Sequence, residues 1–167
     1  MRIMSSSRAT LAIALLAIAA VAMPVTSAAG KKDRFKTVAV VGAKLKGQTE
    51  VPGPGDPTGR GTLEVELKKK RKGGKKKACF KLAYRNLAGA TTAHIHKGRE
   101  DAAGPKKLRL FRAKSQLPGE DRVKGCVRIQ GSLLRKLKRQ SERYYVNVRN
   151  SEYPDGAIRG QLELVKP

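Results

Sequence analysis

The segment from Tyr144 to Leu164, YYVNVRNSEYPDGAIRGQLEL, constrains the fold more than any other, because two runs of strand periodicity flank a turn. In the first run Tyr144, Val146 and Val148 alternate with Tyr145, Asn147 and Arg149, so the two sets project to opposite faces of a strand. In the second, Ile158, Leu162 and Leu164 share a face with Gly160, opposite Ala157, Arg159, Gln161 and Glu163. Between them, Pro154-Asp155-Gly156 supplies a fixed φ, a side chain that bonds local backbone and a residue tolerant of positive φ. The pattern predicts a hairpin with one core face and one wet face. Gly160 falls on the core face, where a missing side chain marks a bulge or the close approach of another segment.

The rest of the chain repeats this grammar. Phe35 to Leu45 is β-rich but breaks strict alternation at Val38, Val40 and Val41, which predicts a first strand with a bulge or a change of face. Gly47 to Gly61 holds three prolines and five glycines and reads as an ordered loop. Thr62 to Leu67 alternates cleanly, with Leu63, Val65 and Leu67 inward. Ala78 to Tyr84, Thr91 to His96, Leu108 to Phe111 and Val123 to Ile129 follow as further strands, and 97–107 as a loop. Ser132 to Gln140 is the one predicted helix: Ser132 caps it, and Leu133, Leu134 and Leu137 share a face while Arg135, Lys136, Lys138 and Arg139 face water. Seven or eight short strands with turn signals between them give an all-β fold, an antiparallel sandwich or barrel with one short helix.

The first residues read as an address rather than as structure. Arg2 and Arg8 precede an apolar run from Leu11 to Met23, and Thr26-Ser27-Ala28 and Ser27-Ala28-Ala29 both offer small residues to a signal peptidase. The apolar run is shorter than the roughly 20 residues that span a bilayer. The expected plan is therefore a cleaved signal peptide over 1–28, a short basic tail over 29–34 and one domain over 35–166, with no transmembrane segment after cleavage and a secreted or envelope-associated location. Cys79 and Cys126 are the only cysteines, and in an exported chain two cysteines read as one disulfide.

Charge narrows the partners. The chain carries 37 Lys and Arg against 13 Asp and Glu, a net charge of +24, which draws it towards anions without saying anything about fold. Lys68 to Lys77 concentrates eight cations (Lys68, Lys69, Lys70, Arg71, Lys72, Lys75, Lys76 and Lys77) around Gly73-Gly74. Strands on both sides make this a long hairpin with a charged tip. Lys106-Lys107-x-Arg109 and Arg135-Lys136-x-Lys138-Arg139 add smaller clusters. Such patches suit an anionic cell-envelope polymer; the scarcity of aromatic residues among them argues against nucleic acid, which single-strand binders stack on aromatic rings.

Several stretches together resemble the CHRD domain, named from chordin and also found in secreted bacterial proteins. They are LKGQTEVPGPGDPTGRGTLEVEL (45–67), ACFKLAYRNL (78–87), AHIHKGREDAAGP (93–105), GCVRI (125–129) and YYVNVRNSEYPDGAIRGQLEL (144–164). Gly98, Tyr145, Asn147, Pro154, Gly156, Ile158, Arg159, Gly160 and Gln161 belong to the shared motifs, with IRGQL the most specific. The resemblance implies an immunoglobulin-like β-sandwich, distantly like copper/zinc superoxide dismutases, and an extracellular setting without a settled biochemical activity. Two positions depart from the family pattern. Arg149 stands where relatives often carry a histidine, and Asp101 where a glycine often follows.

His94-x-His96 is the one constellation resembling a metal site, since residues two apart on a strand share a face. Zinc or copper draws three or four protein ligands, yet the chain has only these two histidines. Glu100 or Asp101 could add a carboxylate, and Arg149 would oppose a cation. No Gly-x-Ser-x-Gly elbow, phosphate-binding glycine loop or Cys-x-x-Cys pair occurs. The expectation is a non-enzymatic extracellular binding module without a cofactor, in contact with an anionic envelope polymer or a protein partner. The alternative is a zinc- or copper-binding, dismutase-like protein using His94 and His96. For IRGQL the expectation is a structural role, with Gly160 allowing close packing and Arg159 pairing a carboxylate on the other face.

Overall fold

The computed structural model describes residues 34–113 and 121–167. The signal peptide expected over 1–28, and the basic tail apart from Arg34, lie outside the described residues. Among the described residues nine strands and one α-helix follow in chain order: β1 (Phe35–Lys46), β2 (Arg60–Lys70), β3 (Lys76–Arg85), β4 (Thr92–Lys97), β5 (Lys106–Arg112), β6 (Asp121–Arg128), α1 (Gly131–Arg139), β7 (Tyr144–Arg149), β8 (Ile158–Gln161) and β9 (Glu163–Lys166).

Every pairing is antiparallel, and the strands run in the order β5-β4-β7-β8-β1-β2-β3-β6, with β9 also on β1. The two halves, β5-β4-β7-β8 and β1-β2-β3-β6, meet through a single β1–β8 pair, Lys46 with Arg159. Phe80 of β3 stacks on Phe111 of β5 with ring centroids 6.3 Å apart. The outcome is a nearly closed, sandwich-like sheet, as the antiparallel sandwich expectation required.

Alternation sets the core. Val41, Leu63, Val65, Leu67, Phe80 and Leu82 from one half meet Ala93, Ile95, Val146, Val148 and Ile158 from the other, all buried. Leu134 and Leu137 bring the helix onto the same core, and Leu133 packs beside them. At about two turns this helix depends on that packing for its stability. The expected bulge in β1 is a register shift between Thr37 and Ala39. Cys79 and Cys126 sit directly opposite each other on β3 and β6, and their sulfurs are bonded.

Four expectations require correction. Ser132 does not cap α1; Gln130 occupies the cap position and no side chain closes it. The 97–107 loop ends early, because Lys106 and Lys107 belong to β5. Leu164 does not face the core and is 44 % exposed. The reason is a break at Leu162, whose N–H bonds the carbonyl of Tyr144 at 2.8 Å before the chain moves onto β1 as β9. One residue spent in such a break reverses the facing of everything after it. The fourth correction is the wet face of β7 and β8, which is not wet: Tyr145, Asn147 and Arg159 are 2 %, 4 % and 1 % exposed.

Candidate functional site

The face of β5-β4-β7-β8 directed away from the core carries three cross-strand rows of polar or aromatic side chains. Arg112, Thr92 and Arg149 form the first; Arg109, His94, Asn147 and Arg159 the second; Lys106, His96, Tyr145 and Gln161 the third. Period-two alternation places them there, since Ala93, Ile95, Val146, Val148 and Ile158 occupy the inner face. Three loops, 47–59, 98–105 and 150–157, close over the rows.

Named bonds fix this cover. Arg159 donates through Nη2 to the carbonyls of Arg99 at 2.6 Å and Ala102 at 2.9 Å, and its guanidinium lies 3.5 Å from the centre of the Tyr145 ring. The expected carboxylate pair is therefore replaced by two loop carbonyls and a cation–π contact. The Tyr145 hydroxyl accepts from Gly104 N at 3.0 Å, and the ring stacks on His96 with centroids 4.9 Å apart. Gln161 donates to the carbonyls of Gly98 at 3.0 Å and Glu142 at 2.6 Å. From the opposite side Glu50 enters the layer and accepts from Asn147 Nδ2 at 2.9 Å. Gly156 permits this approach, for a Cβ there would collide with the Glu50 carboxylate and the Asn147 amide.

Burial shapes the titration of the layer. Desolvation pushes Glu50 from the usual 4.5 up to about 7, against the pull of Arg159, Arg149 and a bond from Val51 N–H. His94 is held down at about 4, first by burial and then by Lys106, His96, Arg149 and Arg109. His96 is lowered chiefly by burial; its bond to the Gly104 carbonyl at 2.8 Å opposes that and places the ring proton on Nδ1. At neutral pH both histidines are uncharged.

The layer is incomplete within the described residues. Eight buried side-chain atoms have no protein partner among the described residues: Glu50 Oε1, His94 Nδ1, His96 Nε2, Asn147 Oδ1, Arg149 Nε, Asn150 Nδ2, Arg159 Nη1 and Gln161 Oε1. Every one belongs to this face or to the loops over it. An unsatisfied buried group costs about 1 to 3 kcal/mol, so eight would rival the roughly 5 to 15 kcal/mol of a whole fold. Completing these bonds falls to water, to a ligand or to groups beyond the described residues. Two openings admit them: a cleft of about 920 Å³ lined by Glu50, Arg99, Glu100, Asp101, Arg143 and Gln161 among others, and a smaller pocket beside His94 and Arg149.

The family model of the CHRD domain matches residues 41–162, which includes every strand of the layer. The chain belongs to the CHRD domain family. No curated protein and no solved structure matches it. CHRD domains are binding-type modules of extracellular proteins, and among the described residues no helix is long and apolar enough to cross a membrane.

Within this CHRD fold the residues expected to carry the family motifs converge. Gly98, Tyr145, Asn147, Arg159 and Gln161 lie in or directly over the polar layer, Pro154 lines the smaller pocket and Ile158 backs the layer from the core. Gly160 lets β1 approach, since a Cβ there would collide with the Lys44 carbonyl. The sequence reading missed Glu50, Asn150 and Arg112. Glu50 left a faint signal, an acid inside a proline- and glycine-rich loop of a chain with few acids.

The donor set does not fit a zinc or copper centre. His94 and His96 stand edge-on with ring centroids 6.1 Å apart, and Lys106 and Arg149 act on both. Among the described residues no group of three or more His, Cys, Asp or Glu could hold a metal ion. Glu100 and Asp101 line the large cleft and not the pocket beside His94.

The lysine-rich hairpin lies elsewhere, where β2 and β3 extend to Lys70 and back from Lys76. Lys68 pairs with Glu66 at 2.6 Å, Lys76 bonds the Gly74 carbonyl at 2.8 Å, and Lys77 lies 4.1 Å over the Phe35 ring. Lys69, Arg71, Lys72 and Lys75 are exposed, and Lys70 is half-buried.

Proposed function

We propose that this CHRD protein is a secreted, non-enzymatic binding module that contacts an anionic cell-envelope polymer through its β2–β3 hairpin, without a metal cofactor. The observation that carries the reading is the hairpin tip, Arg71 to Lys75, exposed at every residue and built on two paired strands that fix where its cations project. Four exposed cations on one rigid projection lower the potential energy of a polyanion along a line rather than at a point. Export is supported by the N-terminal pattern and by the Cys79–Cys126 bridge, which suits an oxidising compartment.

The experiment is retention on the cell-envelope fraction and on dextran sulfate across a salt series. Retention is expected to fall steeply between low and physiological ionic strength. Replacing Lys69, Arg71, Lys72 and Lys75 by glutamine is expected to weaken it at every salt concentration. Salt-insensitive binding, or binding that survives that replacement, refutes the polymer reading and favours a protein partner on another face.

A further inference from the structure

A second cluster of cations lies in the polar layer, far in sequence from the lysine-rich hairpin. The pocket beside His94 has a volume of about 330 Å³ and is lined by Thr91, Thr92, His94, Lys106, Arg109, Arg112, Arg149, Asn150 and Pro154. Four of these are cations and none is a carboxylate. The cross-strand rows bring them together: Arg112 and Arg149 flank Thr92, and Arg109 stands beside His94.

Charge alone would describe a solvated patch on a basic protein. The decisive feature is that three residues lining the same pocket each carry a buried atom without a partner among the described residues: Arg149 Nε, Asn150 Nδ2 and His94 Nδ1. Arg149 Nε and Asn150 Nδ2 can only donate, and a neutral histidine can donate from Nδ1. Asn150 is 2 % exposed, and its Oδ1 is already engaged by Tyr153 N–H at 2.7 Å. That bond orients the amide and leaves its N–H groups unengaged. Donors that converge without acceptors, walled by arginines, call for a group with several acceptor oxygens and negative charge.

We infer that this pocket between β5 and β7 binds a tetrahedral oxyanion, a phosphate or sulfate group, held by Arg149, Asn150 and His94 inside and by Arg109, Arg112 and Lys106 at the rim. The oxyanion would satisfy the inner donors and relieve the mutual repulsion of the four cations. The site is independent of the hairpin and stands whether or not the hairpin binds a polymer.

Calorimetric titration tests it with inorganic phosphate, inorganic sulfate, glycerol 1-phosphate, a glycerophosphodiester and chloride, all at one ionic strength. One saturable site for phosphate or sulfate, at least tenfold tighter than for chloride, is expected. Arg149→Gln should weaken it tenfold or more. Arg109→Gln, on an exposed edge-strand residue, should weaken it about threefold and keeps the test valid if Arg149→Gln does not fold. The four-residue hairpin replacement should leave this affinity unchanged. Binding of the diester as well as the monoester assigns the group to a polymer backbone; binding of the monoester and inorganic ions alone assigns it to a free anion or terminal ester. Affinity no greater than for chloride, or equal in wild type and both arginine variants, overturns the inference.

Discussion

Replacing Glu50 by glutamine isolates the electrostatic cost of the polar layer. Glu50 is 7 % exposed, and burial raises its pKa from 4.5 to about 7. Because the folded value is above the unfolded one, its contribution to stability is fully present below about pH 4.5 and is lost as the pH rises through about 7. A displacement of that size corresponds to about 3 kcal/mol at 1.36 kcal/mol per unit. The carboxyl borders the 920 Å³ cleft, and screening through that opening reduces the loss to about 2 kcal/mol. Glutamine keeps a carbonyl oxygen for Asn147 Nδ2 but cannot ionise. The variant should therefore match the parent's pH response near pH 4.5 and pull ahead of it up to pH 8. For a unit of this size about 2 kcal/mol is a shift of roughly 6 to 10 °C in Tm. Thermal unfolding of both proteins from pH 4.5 to 8 gives the difference directly. His94 and His96 titrate in the opposite sense, favouring the fold above about 6.5 and losing it as the pH falls, His94 towards about 4; they are common to both proteins and largely cancel. A Tm difference that stays constant from pH 5 to 8 would show that Glu50 does not carry this cost.

Three further outcomes follow from packing and covalent structure. Gly160→Val should lower stability by about 3 kcal/mol or more, since its Cβ would meet the Lys44 backbone and the Ala43 side chain rather than a movable group; an unchanged Tm rejects the close-packing role. The double change of Cys79 and Cys126 to serine opens a link across 47 residues, worth roughly 4 kcal/mol on the chain-entropy view and typically 2 to 5 by removal; denaturant unfolding under non-reducing conditions reads the loss. Elemental analysis of the purified protein after dialysis should find no stoichiometric zinc or copper, and one equivalent of either would overturn the reading of His94 and His96 as uncharged partners in a polar layer.

The inner half of the fold was legible because alternation is a local property. Leu63, Val65 and Leu67 needed only their neighbours to declare a face, and the bridge needed only the count of two cysteines in a chain expected to be exported. The outer half was not, because polar alternation looks the same whether water or a loop lies over it. Tyr145, Asn147 and Arg159 read as solvent-facing until loops 47–59 and 98–105 are placed on them. Arg112 meets Thr92 and Arg149 only through the β5–β4–β7 register, which includes two shifts within β4–β5 that no spacing rule anticipates. Leu164 failed for a related reason: its phase was counted through the break at Leu162.

The two openings of the layer are coupled by charge. Arg149 borders the small pocket and also favours the ionised form of Glu50 across the layer. An oxyanion held by Arg149 offsets part of that favour, so binding should raise the Glu50 pKa further, and by reciprocity protonation of Glu50 should tighten binding. His94, which lines the pocket, acts in the same direction, since an anion beside it favours its protonated form. Sulfate is the proper ligand for measuring this, because its own charge is constant across the range while that of phosphate is not. Sulfate affinity should rise as the pH falls from 8 to 5.5, and Glu50→Gln should flatten the upper part of that rise, near pH 7, while leaving the part due to His94 at lower pH. An equal pH dependence in both proteins would mean that the acceptor side and the donor side of the layer act separately.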